Sequence, residues 1–453
     1  MGRRLLVIGG DAAGMSAASQ ALRRATYPLD TVVVERGHWT SYSACGIPYW
    51  IAGDVERADN LVARTAKEHR ARGIDVRLGV TATEIDLDRQ RVQVLRGSAP
   101  EWLDFDDLVI GTGARPIRPD LPGVDADGVL GVQNLDEGQR VLDVLCGARE
   151  VQRAVVVGAG YIGVEMAEAL CARGLDVTVV QRGPEPMTSL DSRMGAHIRA
   201  ALNRLGAQVV CGAEATGFDS GADGWVTGVV AGGATYPADL VVLGIGVAPA
   251  AEIATRAGLP TGASGGIRTD DRMAVAEGVW AGGDCVEVWH RVSRQHRHLP
   301  LGTHANKQGR VIGINVTGGD TTGWARFPGA VGTAITRVGD LEVARTGLTR
   351  GQAAAAGFQT VSETVETTTI AGYMPGSEPM HVLLVAECGT GRLLGAEIVG
   401  GRGAAKRIDV CAMALWQQMT VAELAMTDLA YAPPFSSVWD PVQVAAWKVA
   451  GSV

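Results

Sequence analysis

One cysteine, Cys45, stands in the stretch SYSACGIPYW (residues 41–50), among small residues and ahead of a glycine, a proline and two aromatics. Backbone N–H groups at the start of a helix lower a thiol's pKa, and the thiolate is the nucleophile of disulfide exchange. A cysteine without such a setting usually ends as a small buried hydrophobe. Two glycine-rich turns offer a second chemistry. GAGYIG (158–163) has the full G-x-G-x-x-G spacing in Gly158, Gly160 and Gly163, with Tyr161 and Ile162 opening the next helix. In such a turn the first glycine allows the bend, the second lets the backbone approach a pyrophosphate, and the third lets helix and strand pack closely. The helix N-terminus then faces negative charge. GGDAAG (9–14) keeps Gly9 and Gly14 but carries Asp11 in the middle place, ahead of Ala12. That carboxylate is expected to turn away from phosphate and cap the helix.

A ribose diol calls for an acceptor about 20 residues further on. Glu35, with Arg36 beside it, supplies one for the first turn, whereas the second unit has Gln181 and then Arg182 there. With no carboxylate to repel a 2′-phosphate and an arginine at hand, NADPH is favoured over NADH. A plain ribose bonded by Gln181 stays open as the alternative.

Each turn must sit between a strand and a helix. RRLLVIGGDAAGMSAASQAL (3–22) and RAVVVGAGYIGVEMAEAL (153–170) both read as an apolar strand, a glycine turn and a helix, and each is followed by a β-rich run, DTVVVER (30–36) and LDVTVVQR (175–182). This internal repeat predicts two βαβ nucleotide-binding folds. ADLVVLGIGVAPAAE (238–252) and VWAGGDCVE (279–287) add strand–turn segments. Beyond residue 326 the alternating runs AITRVGDLEVARTG (334–347) and MHVLLVAECGTGRLLGAEIVG (380–400) predict an antiparallel sheet with hairpins, followed by helices. The expected architecture is α/β: a discontinuous Rossmann-like domain over 1–115 and 246–325, a second over 116–245, and an α+β domain over 326–453.

Composition agrees, since 453 residues exceed what one core usually supports. The 61 glycines, nearly twice the average share, imply many tight turns. A net charge of -8 without a basic stripe argues against a nucleic-acid partner. MGRRLLVIGG leads into a strand and turn rather than a cleavage-type segment, and no apolar run reaches membrane length. Seven cysteines without a C-x-x-C speak against a disulfide framework or a zinc site, so a reducing cytoplasm is the simplest location. Cys171, Cys285 and Cys411 read as packing residues, and His290, His296 and His298, which lack metal spacing, as a solvated loop.

With two such turns the chain resembles, over essentially its whole length, the pyridine nucleotide-disulfide oxidoreductases, flavoproteins that bind two dinucleotides. GTGARP (111–116) is similar to the stretch that leaves that family's FAD domain, and VWAGGDCVE to its second FAD fingerprint. The resemblance implies FAD held around Gly9, Asp11, Ala12, Gly14, Glu35, Arg36, Thr112, Gly113, Arg115, Gly283, Asp284 and Ala305, with Asp284 on the ribityl chain. It implies a nicotinamide cofactor around Gly158, Gly160, Tyr161, Ile162, Gly163, Glu165, Gln181, Arg182 and Gly246, with Tyr161 gating the flavin and Glu165 near the carboxamide. Residues 326–453 match the dimerisation domain, which implies a homodimer with composite active sites.

Two-cysteine branches would place the second thiol at Trp50 and a His-Pro pair in the tail, and neither is present. SYSACGIPY, AGYMPG (371–376) and YAPPFS (431–436) resemble instead the single-cysteine branch, the coenzyme A-disulfide and CoA-persulfide or polysulfide reductases. There, tyrosines matching Tyr373 and Tyr431 reach the other subunit's cysteine, and residues matching Gln20, Arg23, Ser41 and Lys307 line the route of CoA. Ala44 departs from the asparagine often found before the cysteine, and no rhodanese module is expected after the dimerisation domain.

The implied chemistry passes hydride from NADPH through FAD to sulfur, with Cys45 as a low-pKa thiolate and Tyr431 as the acid that meets the leaving thiolate. One rival is an NAD(P)H oxidase cycling Cys45 through sulfenic acid; the related peroxidases carry a histidine at the place of Ala12. The other is a flavin-bound redox sensor.

Overall fold

The computed structural model describes residues 2–319 and 323–453; residues 1 and 320–322, inside the range expected for the first domain, lie outside the described residues. Strands Asp107–Ile110, Arg3–Ile8, Leu29–Glu35 and Ile74–Leu78 lie side by side and parallel. Val279–Ala281 extends this sheet in parallel and Ala274–Ala276 closes it antiparallel. Leu5, Leu6, Val7 and Val33 are fully buried because both faces of the sheet are covered, which is why these strands read as unbroken apolar runs. The second parallel sheet has the order Gln208–Cys211, Asp176–Gln181, Arg153–Val157, Leu240–Leu243, Val129–Gly131.

Both glycine turns leave the carboxyl end of a central strand whose neighbours come from opposite directions in the chain. Arg3–Ile8 lies between Leu29–Glu35 and Asp107–Ile110, and Arg153–Val157 between Asp176–Gln181 and Leu240–Leu243. That is the switch point at which open α/β sheets bind ligands. The chain crosses between the two sheets along Ala114–Pro116 and Val247–Pro249, which pair antiparallel.

The C-terminal part is the expected antiparallel sheet, ordered Ala334–Val338, Leu341–Gly347, Leu393–Gly400, Pro379–Glu387, Thr360–Thr368. Its register sets Arg345 directly opposite Glu397. Helix Ile47–Ala52 packs on helix Tyr161–Ala172 and buries Ile47, Trp50 and Ile51. Trp50, at the place of a second thiol, is therefore core.

The reading of three histidines as a solvated loop is corrected. His296 lies in strand Gln295–Arg297 and His298 Nε2 is 2.8 Å from the Asp284 carbonyl, both half-buried. His290 is 2% exposed, in a hairpin of Val288–His290 with Gln295–Arg297, and its Nδ1 accepts from Ser293 N at 3.1 Å. The hairpin pairs the flanking backbone and leaves this imidazole neutral, since burial pushes it down to about 4. Cys285 and Cys411 are buried as expected, and Cys171 is half-buried. Among the described residues no helix is long and apolar enough to cross a membrane, and no group of three or more His, Cys, Asp or Glu could hold a metal ion.

Candidate active site

A cavity of about 1850 Å³ runs between the two parallel sheets, from the first glycine turn to the second. It brings together Asp11, Ala12, Cys45, Gly113, Gly283, Asp284 and Ala305 with Gly158, Gly160, Tyr161, Ile162, Glu165, Gln181, Arg182 and Gly246. At each turn the first glycine is left-handed, Gly9 at φ +104° and Gly158 at φ +94°. A Cβ on the third glycine, Gly14 or Gly163, would overlap the carbonyl oxygen of the first. The middle place differs. A Cβ on Gly160 would meet nothing closer than the Gly244 carbonyl oxygen at 3.9 Å, so packing does not demand glycine there and the space before it is left for a ligand. Each strand-end side chain holds the turn beside it: Glu35 Oε2 accepts from Gly10 N at 2.7 Å, and Gln181 Oε1 from Ala159 N at 3.0 Å. The left-handed glycines and the open cradle at Gly160 fit the phosphate groups of two dinucleotides.

Asp11 does not cap the first helix. It occupies the N-cap position in an extended conformation (φ -122°, ψ -151°) without a capping bond, and its Oδ1 accepts instead from Tyr42 N at 3.2 Å. The segment ahead of Cys45 is tied to the first turn at two further points, Ser41 N (3.2 Å) and the Thr40 hydroxyl, both donating to the Gly10 carbonyl. Ser41, expected on a substrate route, shares a 2.9 Å bond between its Oγ and His69 Nε2. His69 is buried on helix Ala66–Arg70, and burial together with Arg64 and Arg72 lowers it to about 4.

Cys45 is exposed into the cavity from a single 3₁₀ turn, Ala44–Gly46, ahead of a six-residue helix. Its thiol is not depressed as expected. Desolvation, then the Glu165 and Asp284 carboxylates, push it up, and the backbone N–H contribution of so short a turn does not offset them. Glu165 is itself raised by burial and accepts from the Thr336 hydroxyl at 2.7 Å. Burial likewise raises Asp284.

The wall beside the second turn is held from the C-terminal sheet. Met187 N donates to the Ala159 carbonyl at 2.7 Å, Arg345 Nη1 to the Ser189 carbonyl at 2.8 Å, and Asp191 N to Glu397 Oε2 at 2.8 Å. Glu397 is 3% exposed, and burial raises it to about 7. Its Oε1 and the Tyr161 hydroxyl are buried without protein partners. His69, Thr336, Arg345 and Glu397 belong to no sequence motif. The available signal was Glu397 itself, a charge inside the apolar run LLGAEIVG (393–400) that can be buried only with a partner.

Other expected residues lie outside the cavity. Thr112 donates to the Ala250 carbonyl at 2.6 Å, Arg115 pairs with Glu252, and Arg36 is exposed. Gln20 accepts from Arg23 Nη2 at 2.8 Å, and Lys307 is exposed on helix Gly302–Val316, which packs on the same helix, Ala12–Arg24. Tyr373 (75% exposed) and Tyr431 (48%) do not line the cavity of their own chain. Their loops are pinned together by Ala371 N to the Pro433 carbonyl at 3.1 Å and by Arg407, whose Nη2 donates to the Thr369 and Phe435 carbonyls. Phe435, Val438 and Trp439 are exposed near them in sequence.

Residues 3–309 match the family model described as pyridine nucleotide-disulphide oxidoreductase, and residues 333–442 match that family's dimerisation domain. The chain is 34% identical to an NAD(P)H coenzyme A polysulfide/persulfide reductase of Pyrococcus horikoshii and 32% identical to an NADH oxidase of Methanocaldococcus jannaschii, in each case over 98% of both chains. Among solved structures, an NAD-dependent persulfide reductase from A. fulgidus superposes with a TM-score of 0.95 at 38% identity, covering 99% of this chain and 83% of that one.

Proposed function

Since the chain belongs to the pyridine nucleotide-disulphide oxidoreductase family, we propose that it reduces CoA disulfide, CoA persulfide or polysulfide through the single thiol of Cys45. The observation that carries this reading is that Cys45 is the one cysteine lining the cavity between the two glycine turns among the described residues, while Trp50 fills the second-thiol position as core. The relatives that reduce CoA-linked sulfur support it. In this reading 1–115 with 246–325 form the FAD domain, 116–245 the NAD(P) domain and 326–453 the dimerisation domain.

Gly9, Asp11, Glu35, Asp284 and Ala305 would hold FAD, and Gly158, Gly160, Glu165, Gln181 and Arg182 the nicotinamide cofactor, NADPH rather than NADH by the missing carboxylate at Gln181. Bound FAD supplies the two-electron link between reduced nicotinamide and sulfur. Cys45 must first lose a proton, because its thiol is raised. The Cys45 sulfur then attacks one sulfur of a CoA disulfide, forms a mixed disulfide and expels one CoA thiolate. Tyr431 protonates that thiolate and Tyr373 orients it, from the other subunit of a homodimer, since neither reaches the cavity of its own chain. Gln20, Arg23, Ser41 and Lys307 line the approach of CoA, whose phosphates suit Arg23 and Lys307.

The test is anaerobic reduction with NADPH followed by mixing with CoA disulfide, CoA persulfide or oxygen while flavin absorbance is recorded, for the unmodified protein and Cys45→Ser. Rapid reoxidation by a CoA-linked sulfur compound, lost in Cys45→Ser, is expected. Reoxidation by oxygen alone, with product shifting from water toward peroxide in the variant, would establish the oxidase chemistry of the Methanocaldococcus relative instead. Negligible reoxidation by every acceptor would point to a redox sensor.

A further inference from the structure

Asp11 stands where the second turn has Gly160, and the middle place of such a turn is the one that meets phosphate. Its carboxyl serves neither the turn nor the helix; it reaches across to Tyr42 N, three residues ahead of Cys45, at 3.2 Å. The crossing is made possible by Ser41, held left-handed at φ +50°, a strained conformation for a residue with a Cβ. Four bonds over-determine it: Ser41 N to the Gly10 carbonyl, Ala63 N to the Ser41 carbonyl, Ser41 Oγ with His69, and the Asp11 bond on the next residue.

We propose that Asp11 is a positioning residue that locks the segment carrying Cys45 onto the first glycine turn, so that retention of the dinucleotide and access to the Cys45 thiol are coupled through one side chain. This coupling presupposes that the turn holds FAD. The titratable groups acting on the Asp11 carboxyl or sensing it are Glu35, Asp284, Tyr42 and Cys45. Burial first, and then Glu35 and Asp284, raise Asp11 to about 6. A dinucleotide phosphate held at this turn would raise it further, so binding would take up a proton and affinity would fall as pH rises above about 6.

The test uses the flavin-loaded protein as purified, with Asp11→Asn, Asp11→Gly and Asp11→Ala. One readout is the rate at which iodoacetamide labels Cys45, measured on its peptide because Cys146 is also exposed. The other is flavin fluorescence released on dilution across neutral pH. Asp11→Asn keeps an acceptor for Tyr42 N, so labelling should stay within about twofold of the unmodified protein while flavin release loses its pH dependence. Asp11→Gly and Asp11→Ala should both label about fivefold faster or more, because the segment opens locally. Labelling unchanged in all three variants would overturn the assignment, as would an undiminished pH slope in Asp11→Asn. Acceleration in Asp11→Gly but not Asp11→Ala would also overturn it, since added backbone freedom would then be the cause. A purified protein devoid of flavin would refute the FAD reading, while the labelling rates would still decide whether the carboxyl locks the segment.

Discussion

The two glycine turns are built alike at their ends and differently in the middle. Gly9 and Gly14 repeat Gly158 and Gly163 in backbone conformation and in the overlap that a Cβ would create. Glu35 and Gln181 repeat one another as acceptors for the second N–H of the turn. At the centre, Asp11 reaches out to the Cys45 segment, whereas Gly160 faces open space. Packing therefore sets the outer glycines, while the middle residue answers to whatever lies in front of it. Such a position can carry a side chain when that side chain finds a partner elsewhere.

The largest expected effect comes from adding a methyl group at the outer glycines, where overpacking costs about 1–3 kcal/mol. Gly14→Ala should yield protein without flavin. Gly163→Ala should keep its flavin but resist reduction by NAD(P)H, and both show in the absorbance spectrum and thermal midpoint. If Gly163→Ala instead released flavin, the two turns would not serve separate ligands. Next, Gly160→Ala should leave the thermal midpoint nearly unchanged and raise the KM for the nicotinamide about tenfold, or ~1.4 kcal/mol. A lowered midpoint with unchanged KM would mean that packing, not ligand, demands this glycine.

Gln181→Glu sharpens the contrast between the strand ends. It preserves the acceptor for Ala159 N and adds a charge against a 2′-phosphate, so the preference for NADPH over NADH should fall by roughly tenfold, read from the ratio of kcat/KM values. The smallest effect concerns the support of the wall beside the second turn, Glu397. Glu397 keeps its proton to about 7 in the folded protein, against an ordinary 4.5 in the unfolded chain. Between those values the native state binds more protons, so its contribution to stability is complete below 4.5 and is lost as pH rises to about 7. Glu397→Gln should flatten that part of the profile of thermal midpoint against pH. An unaltered profile would mean that another group titrates there.

How much was legible follows from how local each feature is. The two strand–turn–helix units, the two hairpin runs 334–347 and 380–400 and the Cys45 segment all announce themselves within about twenty consecutive residues, because strand burial, turn conformation and helix spacing are short-range properties. Asp11 was visible as an anomaly, but capping was the wrong account of it, since its partner, Tyr42 N, lies 31 residues away. The direction of the Cys45 shift also escaped the sequence. A helix start suggested depression, yet burial first, and then the carboxylates of Glu165 and Asp284, distant in the chain, push the thiol up in the folded protein.

By itself, then, the amino-acid order determined two dinucleotide-type turns and the α/β class, because these depend on backbone conformations that few residues can adopt. Tertiary structure alone decided that the thiol and both turns share one cavity, and that Arg345 and Glu397, opposite each other on the C-terminal sheet, hold the wall at Ser189 and Asp191. The physical reason is that charge and burial act through space: which carboxylates surround a sulfur, and which carbonyl a guanidinium reaches, is settled by the packing of sheets whose strands lie far apart in the chain.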